Sequence, residues 1–497
     1  MKVDYDLVII GGSIIARYAA AFAAYHKARV ALIEPELTNV NSPENKTIYN
    51  SILRQTAEIS QNIRNINQFG IYLPAEIKLD DIAIKFDEIM QFSQGVVTNL
   101  EIENSLTTLA SLGIDVILGK GNFYPLPHLG FFVNNRQVRS RAYLIATDYL
   151  PVIPEIEGLE TTGYLTSQNF ITNLINQKIS IQLQDFLQKK HLKSLVIIGN
   201  SAEAIQLAQS FARLGCQVTL IVKNSQILPK EDLETSAFIQ AILEAEGVRV
   251  LTKTEVSQTK RIDNKKWIQA GDEAIEADDI ILAIGSIPNI ASLNLPAVGV
   301  KINQRGIEIN TKLQTNNPRI YAISGSRYKF TPVSHYAATI AVKNALFFAR
   351  SKVNDKIIPK ALFTDPTMIR IGLNETEAKN RYGQDVLVLQ KSFKTIGKSQ
   401  ILGKNTGFCK ILVRRNGEIL GSCIIGVNAE ELIKPIALAM ANNLKIDALA
   451  NSPYIWPSLA EIISQTAAEW YRQRFLFPNI RQNFIEWFFS LRRYWLF

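Results

Sequence analysis

At 497 residues the chain is too long for a single hydrophobic core and is expected to fold as about three domains. With 47% hydrophobic and 20% charged residues, its composition is that of a globular protein and excludes a disordered one. Its 54 Lys+Arg exceed 45 Asp+Glu to give a net charge of +9, but the basic residues form no block and accompany no recognition motif, so nucleic acid is not expected as a partner.

The N-terminus passes from Met1 directly to Asp4 and Asp6 without a basic, cleavable leader. The first apolar run, Leu7 to Ile10, has the continuous character of a buried parallel strand. It ends in Gly11-Gly12-Ser13-Ile14-Ile15-Ala16, after which an Ala-rich helical stretch leads to a second run, Val30 to Ile33, closing on Glu34. This is a βαβ unit of the dinucleotide-binding kind. In such a unit the first glycine makes the turn, the second lets the backbone approach a pyrophosphate, the third lets helix pack on strand, and an acid after the second strand binds ribose hydroxyls. Here those positions are Gly11, Ser13, Ala16 and Glu34, with Gly12 inside the turn. Serine at the second position takes up space at the point of closest phosphate approach.

A second copy follows. Leu195 to Ile198 leads into Gly199-Asn200-Ser201-Ala202-Glu203-Ala204, a helical segment to Leu214-Gly215, and a run from Gln217 to Val222. Gly11 to Glu34 and Gly199 to Val222 are both 23 residues apart, and both turns read Gly-x-Ser-x-x-Ala. Gly199, Ser201 and Ala204 are therefore candidate nucleotide contacts. The second copy closes on Val222-Lys223, replacing the ribose-binding acid with a cation suited to a 2′-phosphate, which favours NADPH over NADH. The alternative is a nucleotide fold whose binding site has decayed, since both turns lack the glycine of closest approach.

Between the two copies, Ser167 to Lys193 is polar and reads as a surface insertion with a short amphipathic helix. Of the four histidines, His26, His128 and His191 read as surface or capping residues, while His335 follows the Ser324-Gly325 loop. The three cysteines, Cys216, Cys409 and Cys423, have neither zinc-site nor disulfide-framework spacing; buried small hydrophobes and a reducing compartment are expected, with no metal. No apolar run reaches the ~18 residues of a spanning helix, so the expected location is cytoplasmic or peripheral on a membrane. After Pro478 the residues Ile480, Phe484, Trp487, Phe488, Leu491 and Trp495 recur at three- and four-residue steps, with Arg481, Arg492, Arg493 and a single acid, Glu486. This aromatic and basic tail, residues 471–497, fits docking on a membrane surface or a protein partner, or packing on the chain itself.

Three further segments extend the pattern. Leu144-Ile145-Ala146-Thr147-Asp148 precedes Pro154 to Gly158; Ile280 leads through Gly285 to Pro288-Asn289; and Phe363-Thr364-Asp365-Pro366 precedes Ile371-Gly372-Leu373. With the two glycine turns, these make the chain resemble the pyridine nucleotide-disulfide oxidoreductases, on the side of mercuric reductase and dihydrolipoamide dehydrogenase. The resemblance implies an α/β protein with two Rossmann-like nucleotide-binding domains and a C-terminal α+β dimerisation domain. The expected boundaries are residues 1–165 and 284–355 for FAD, 166–283 for NAD(P) and 356–470 for dimerisation. It also implies a homodimer, adds Ala146, Thr147, Gly285 and Gly325 to the candidate cofactor contacts, and would set His335 toward the cofactor.

The chain departs from that family where the chemistry lies. The positions of the redox-active cysteine pair fall on Ser42 and Thr47, the flavin-side lysine on Ser51 and its glutamate partner on Gln206. The C-terminal histidine falls on Trp456, before Pro457 and Glu461; the flavin-binding aspartate is replaced in Ser324-Gly325, and the crossover glycine is Asp148. Dithiol chemistry is therefore not expected, and no catalytic residue is assigned. An FAD-dependent NAD(P)H oxidoreductase that passes electrons directly to a small acceptor such as a quinone is expected. A catalytically degenerate dimeric scaffold and a flavin-binding sensor are the alternatives.

Overall fold

The computed structural model describes residues 3–35, 43–74, 84–102, 105–125, 128–170, 194–304, 306–323, 334–476 and 480–495. The chain divides into two compact units, Met1–Val353 and Asn354–Phe497. Ser42, His191 and the Ser324-Gly325 pair lie outside the described residues, as does all but the start of the 167–193 insertion.

The first unit holds two parallel five-stranded sheets built on one plan. In the first, β1 (Tyr5–Ile10) lies in the middle, with β2 (Val30–Glu34) and Asp115–Leu118 on one side and Ser140–Ile145 and Ile320–Ala322 on the other. Ile10 pairs with Ile33 in one direction and with Ile145 in the other. Leu7, Val8 and Ile9 are fully buried, as a strand covered on both faces requires. Between β1 and β2 runs helix α1 (Ile14–Tyr25), whose Ala16, Ala19, Ala20 and Ala23 are buried, the small side chains allowing close packing. In the second sheet Ser194–Ile198 is central, flanked by Gln217–Val222 and Arg249–Thr252 on one side and Asp279–Leu282 and Leu165–Thr166 on the other.

The duplication goes further than the sequence pattern. Each parallel sheet is accompanied by a three-stranded antiparallel sheet, spanning 121–138 in one case and 256–277 in the other. The short strands Tyr149–Pro151 and Ser286–Pro288 pair antiparallel, so the outward and return links run side by side. Helix α2 (Pro43–Arg64) packs against the helix Ala202–Arg213, the first helix of the second copy.

The second unit is a five-stranded antiparallel sheet in the order Lys360–Leu362, Thr367–Gly372, Ile419–Gly426, Phe408–Arg414, Val386–Ser392. One face carries a core in which Ile369, Ile411 and Ile424 meet Ile433, Ile436, Ile462 and Trp470 from the helices Ala429–Ala441 and Glu461–Leu476. On the other, Ala378 from the helix Glu375–Tyr382 packs with Leu412 and Leu420. The fold is thus α/β with two Rossmann-like halves followed by an α+β domain. Among the described residues no helix is long and apolar enough to cross a membrane.

The sheet register decides what two of the cysteines can do. Cys409 stands opposite Ile424, whereas Cys423 stands opposite Lys410, so the thiols sit one residue out of phase and point to opposite faces. Both are buried and neither is in a disulfide, and burial pushes the Cys409 thiol up to about 12. Cys409 therefore cannot serve as a neutral-pH thiolate, and neither thiol can reach the other as a disulfide. Cys216, in contrast, is partly exposed. Maleimide labelling of the folded protein should therefore modify at most Cys216, with Cys409 and Cys423 reacting only after unfolding; rapid native labelling of either would contradict the assigned register.

Candidate functional site

Both glycine turns are tight for a backbone reason. Gly11 has φ +146° and Gly199 φ +135°, and a β-carbon on either would collide with the backbone of the crossing strand end, at Ala146 and Ala283 respectively. Ala146 is buried, and its N–H donates to the Ile10 carbonyl at 2.8 Å, tying the crossover to the first turn. Thr147 follows it, half-buried.

The serines at the second glycine position act alike in both copies. Ser13 is the N-cap of α1, its Oγ accepting from the Ala16 N–H at 3.2 Å; Ser201 caps its helix by accepting from the Ala204 N–H at 3.1 Å. Each hydroxyl thus occupies one of the donors that a Rossmann helix turns toward a pyrophosphate, and leaves the others.

Glu34 lies at the end of β2, directly beneath the first turn: a β-carbon on Gly12 would stand 2.7 Å from its Cγ. Its carboxylate is fully buried and held by Arg17 of α1, with Nη2 donating to Oε1 at 2.7 Å and Nε to Oε2 at 3.3 Å. Sequence reasoning missed Arg17. A signal was present, since it is a lone charge in the Ala-rich stretch at the point where the helix faces the turn.

Two more charged groups belong to this cradle. Asp148, where the family's crossover has glycine, buries its Oδ1 without a hydrogen-bond partner. Burial raises its pKa to about 6, the Lys46 cation on α2 opposing the shift and Glu34 adding to it. The cluster therefore holds the Arg17–Glu34 ion pair and Asp148, whose ionised form the Lys46 cation favours. The unsatisfied carboxyl oxygen would accept from a hydroxyl of a polar ligand and disfavours an apolar one.

The second cradle is more open. Gly285 has φ +146° and nothing within 4 Å of its β-carbon position. Lys223, at the end of Gln217–Val222, is exposed and ion-paired with the equally exposed Glu255, so an acid stands beside the cation that sequence reasoning took alone. Asn200 Nδ2 donates to Asn224 Oδ1 at 2.8 Å, joining the glycine turn to the end of that strand. Ser51 Oγ donates to the Thr47 carbonyl within α2, and Gln206 lies on the helix that α2 packs against. His26 and His128 are exposed, and His335 rests its ring on Tyr18 at 4.6 Å, which lowers its pKa through burial. Trp456 is exposed, whereas Glu461 is buried.

Two glycine turns on duplicated parallel sheets, followed by a separate α+β unit, define a flavin-dependent pyridine nucleotide oxidoreductase. The chain belongs to the pyridine nucleotide-disulphide oxidoreductase family, which it matches over residues 5–339, with the family's dimerisation domain over residues 358–467. It is 28% identical to a mercuric reductase of Staphylococcus aureus over 462 residues, 91% of this chain and 80% of that one. It is 26% identical to a dihydrolipoyl dehydrogenase of Bacillus subtilis, covering 94% and 98% of the two chains. In structure it superposes on the Cu(II) complex of the HOCl-induced flavoprotein disulfide reductase RclA from Escherichia coli with a TM-score of 0.78 at 23% identity, over 94% of this chain and 100% of that one.

The family's cofactors are FAD and NAD(P)H. The first cradle keeps the family's plan for the adenosine half of FAD in its backbone: Gly11 makes the tight turn against Ala146, Asp148 Oδ1 is a buried acceptor without a hydrogen-bond partner, and Glu34 stands at the position of the ribose-binding acid, held there by Arg17 in a buried pair.

Two predictions follow from the charge cluster. Removing one member of a buried pair strands the other, so Arg17→Met alone should cost about 3–5 kcal/mol in urea unfolding, and Arg17→Met/Glu34→Leu much less; additive losses would show that the two do not depend on each other. Asp148 has its folded pKa raised above the unfolded value near 3.8, so the stability it contributes is full below that value and lost as pH rises through about 6. The advantage of Asp148→Asn over the natural chain should accordingly be nil in acid and grow to on the order of 3 kcal/mol by neutral pH. A pH-independent difference would show that Asp148 ionises freely.

Proposed function

We propose that this protein is an FAD-dependent NADPH oxidoreductase that delivers electrons from the flavin directly to a small acceptor such as a quinone, without a dithiol. The observation that carries this reading is the chemistry of α2: the helix is in place against Ala202–Arg213, but it presents Thr47 and Ser51, no cysteine precedes Cys216, and Cys409 and Cys423 are buried on opposite sheet faces. FAD, when bound, accepts a hydride from NADPH and gives up the electron pair to an acceptor, so the chain's own part is to bind and orient.

In this reading Gly11, Gly12, Ser13, Ala16, Glu34, Ala146, Thr147 and Gly325 hold FAD, while Gly199, Ser201, Ala204, Lys223 and Gly285 hold NADPH. We assign residues 1–165 and 284–355 to the FAD domain, 166–283 to the NAD(P) domain and 356–470 to dimerisation. The working form is a homodimer in the cytoplasm, attached peripherally to a membrane surface or a protein partner by the tail 471–497. A second reading, a catalytically degenerate dimeric scaffold, is favoured by one observation: both serines cap their own helices at the donors a pyrophosphate would use.

The test is a chain with all three cysteines replaced by serine. NADPH oxidation with a quinone acceptor should be retained within about twofold, since none of the thiols takes part, and neither protein should reduce lipoamide or glutathione disulfide. Loss of quinone reduction in a folded cysteine-free chain would refute the direct route. Absence of both flavin and turnover in the natural chain would favour the scaffold.

A further inference from the structure

The last helix, Ile480–Tyr494, lies beyond the residues 358–467 that match the dimerisation domain. Its C-terminal half is unusually apolar on the outside: Trp487 is 57% exposed, Phe488 45%, Phe489 52%, Tyr494 82% and Trp495 84%. The Trp495 N–H still bonds to the Leu491 carbonyl at 3.1 Å, so the helical repeat continues to that residue.

At 3.6 residues per turn, Trp487, Leu491 and Trp495 form one stripe, with Phe488 and Tyr494 on its two flanks. Arg492 falls at the edge of that stripe and Arg493 opposite it. Phe489 lies on the polar side, where its carbonyl accepts from Arg493 Nε at 3.2 Å. Glu486 is the only acid of the helix.

So large an aromatic surface in so few residues calls for a cover. The side chains indicate which. Tryptophan and tyrosine pair an apolar ring with a polar tip and settle at the boundary between acyl chains and headgroups, and Arg492 at the edge of the stripe would meet anionic headgroups there. At about 22 Å the helix is too short to span a bilayer, and it carries too much charge for that role.

We propose that helix 480–494 is an in-plane anchor that docks this protein on an anionic bilayer surface, a choice of occupant that rests on reading the tail as a docking element. The complement is specific: an apolar stripe for the acyl boundary and a basic edge for acidic lipid.

The experiment is flotation of the full-length protein, and of a chain ending at residue 479, with phosphatidylcholine vesicles that contain or lack phosphatidylserine. The intact protein should float with the phosphatidylserine vesicles and partition about tenfold more weakly into phosphatidylcholine alone. The shortened chain should remain unbound, Trp487→Ser/Trp495→Ser should abolish flotation, and Arg492→Gln/Arg493→Gln should remove most of the preference for acidic lipid. Equal flotation of the intact and shortened chains, or none by the intact one, overturns the proposal. Melting temperature and sedimentation of the shortened chain then locate the failure. If both are unchanged, lipid is the wrong occupant and a protein partner takes its place; if the melting temperature falls or the dimer dissociates, the helix is covered by its own chain or a second copy, and the docking reading fails as well.

Discussion

A carboxylate placed in the interior must be neutralised or paired, and Glu34 is paired: it ends β2 beneath the Gly12 backbone and accepts two hydrogen bonds from Arg17. The geometry around it follows from that requirement. Gly11 and Gly12 can have no side chains because the crossing strand end lies on one and Glu34 under the other; Ser13 must cap α1 so that Arg17 emerges one turn later in reach of the acid; and Ala16, Ala19 and Ala20 keep the helix close to the sheet. Loosening the pair would disturb both the turn and the helix that a nucleotide would contact.

The second copy repeats the turn, the serine cap and the crossing strand without the acid. Val222 and Lys223 occupy the end of its second strand, and the cation lies on the surface beside Glu255 instead of in a buried pair. The two cradles thus differ in electrostatics more than in backbone: one closed around internal ions, the other open to solvent. In the proposed assignment the closed cradle takes FAD, a cofactor that stays bound, and the open one a nucleotide that exchanges.

Much of this frame was legible in the sequence because parallel strands covered on both faces read as unbroken apolar runs. Leu7 to Ile10, Val30 to Ile33 and Gln217 to Val222 agree with observed strands within two residues at either end. The equal spacing of the two glycine turns disclosed the duplication, and the tail's aromatic spacing disclosed its helix, which ends at Tyr494. The charge cluster was not legible. Asp148, Glu34 and Lys46 are brought together by the sheet and by α2 across more than a hundred residues of chain, and no local pattern records such a meeting. The opposed faces of Cys409 and Cys423 likewise depend on strand register, which shifts at a bulge in that same pair of strands.

The proposed route makes the flavin the last electron carrier in the chain, and an anaerobic reductive titration measures that directly. The purified dimer should show flavin absorbance bands that bleach fully with one equivalent of NADPH per flavin and take up no more. Uptake of a second equivalent would reveal a redox-active thiol pair, and a colourless protein that NADPH leaves unchanged would mean that the cradle around Glu34 holds no flavin at all.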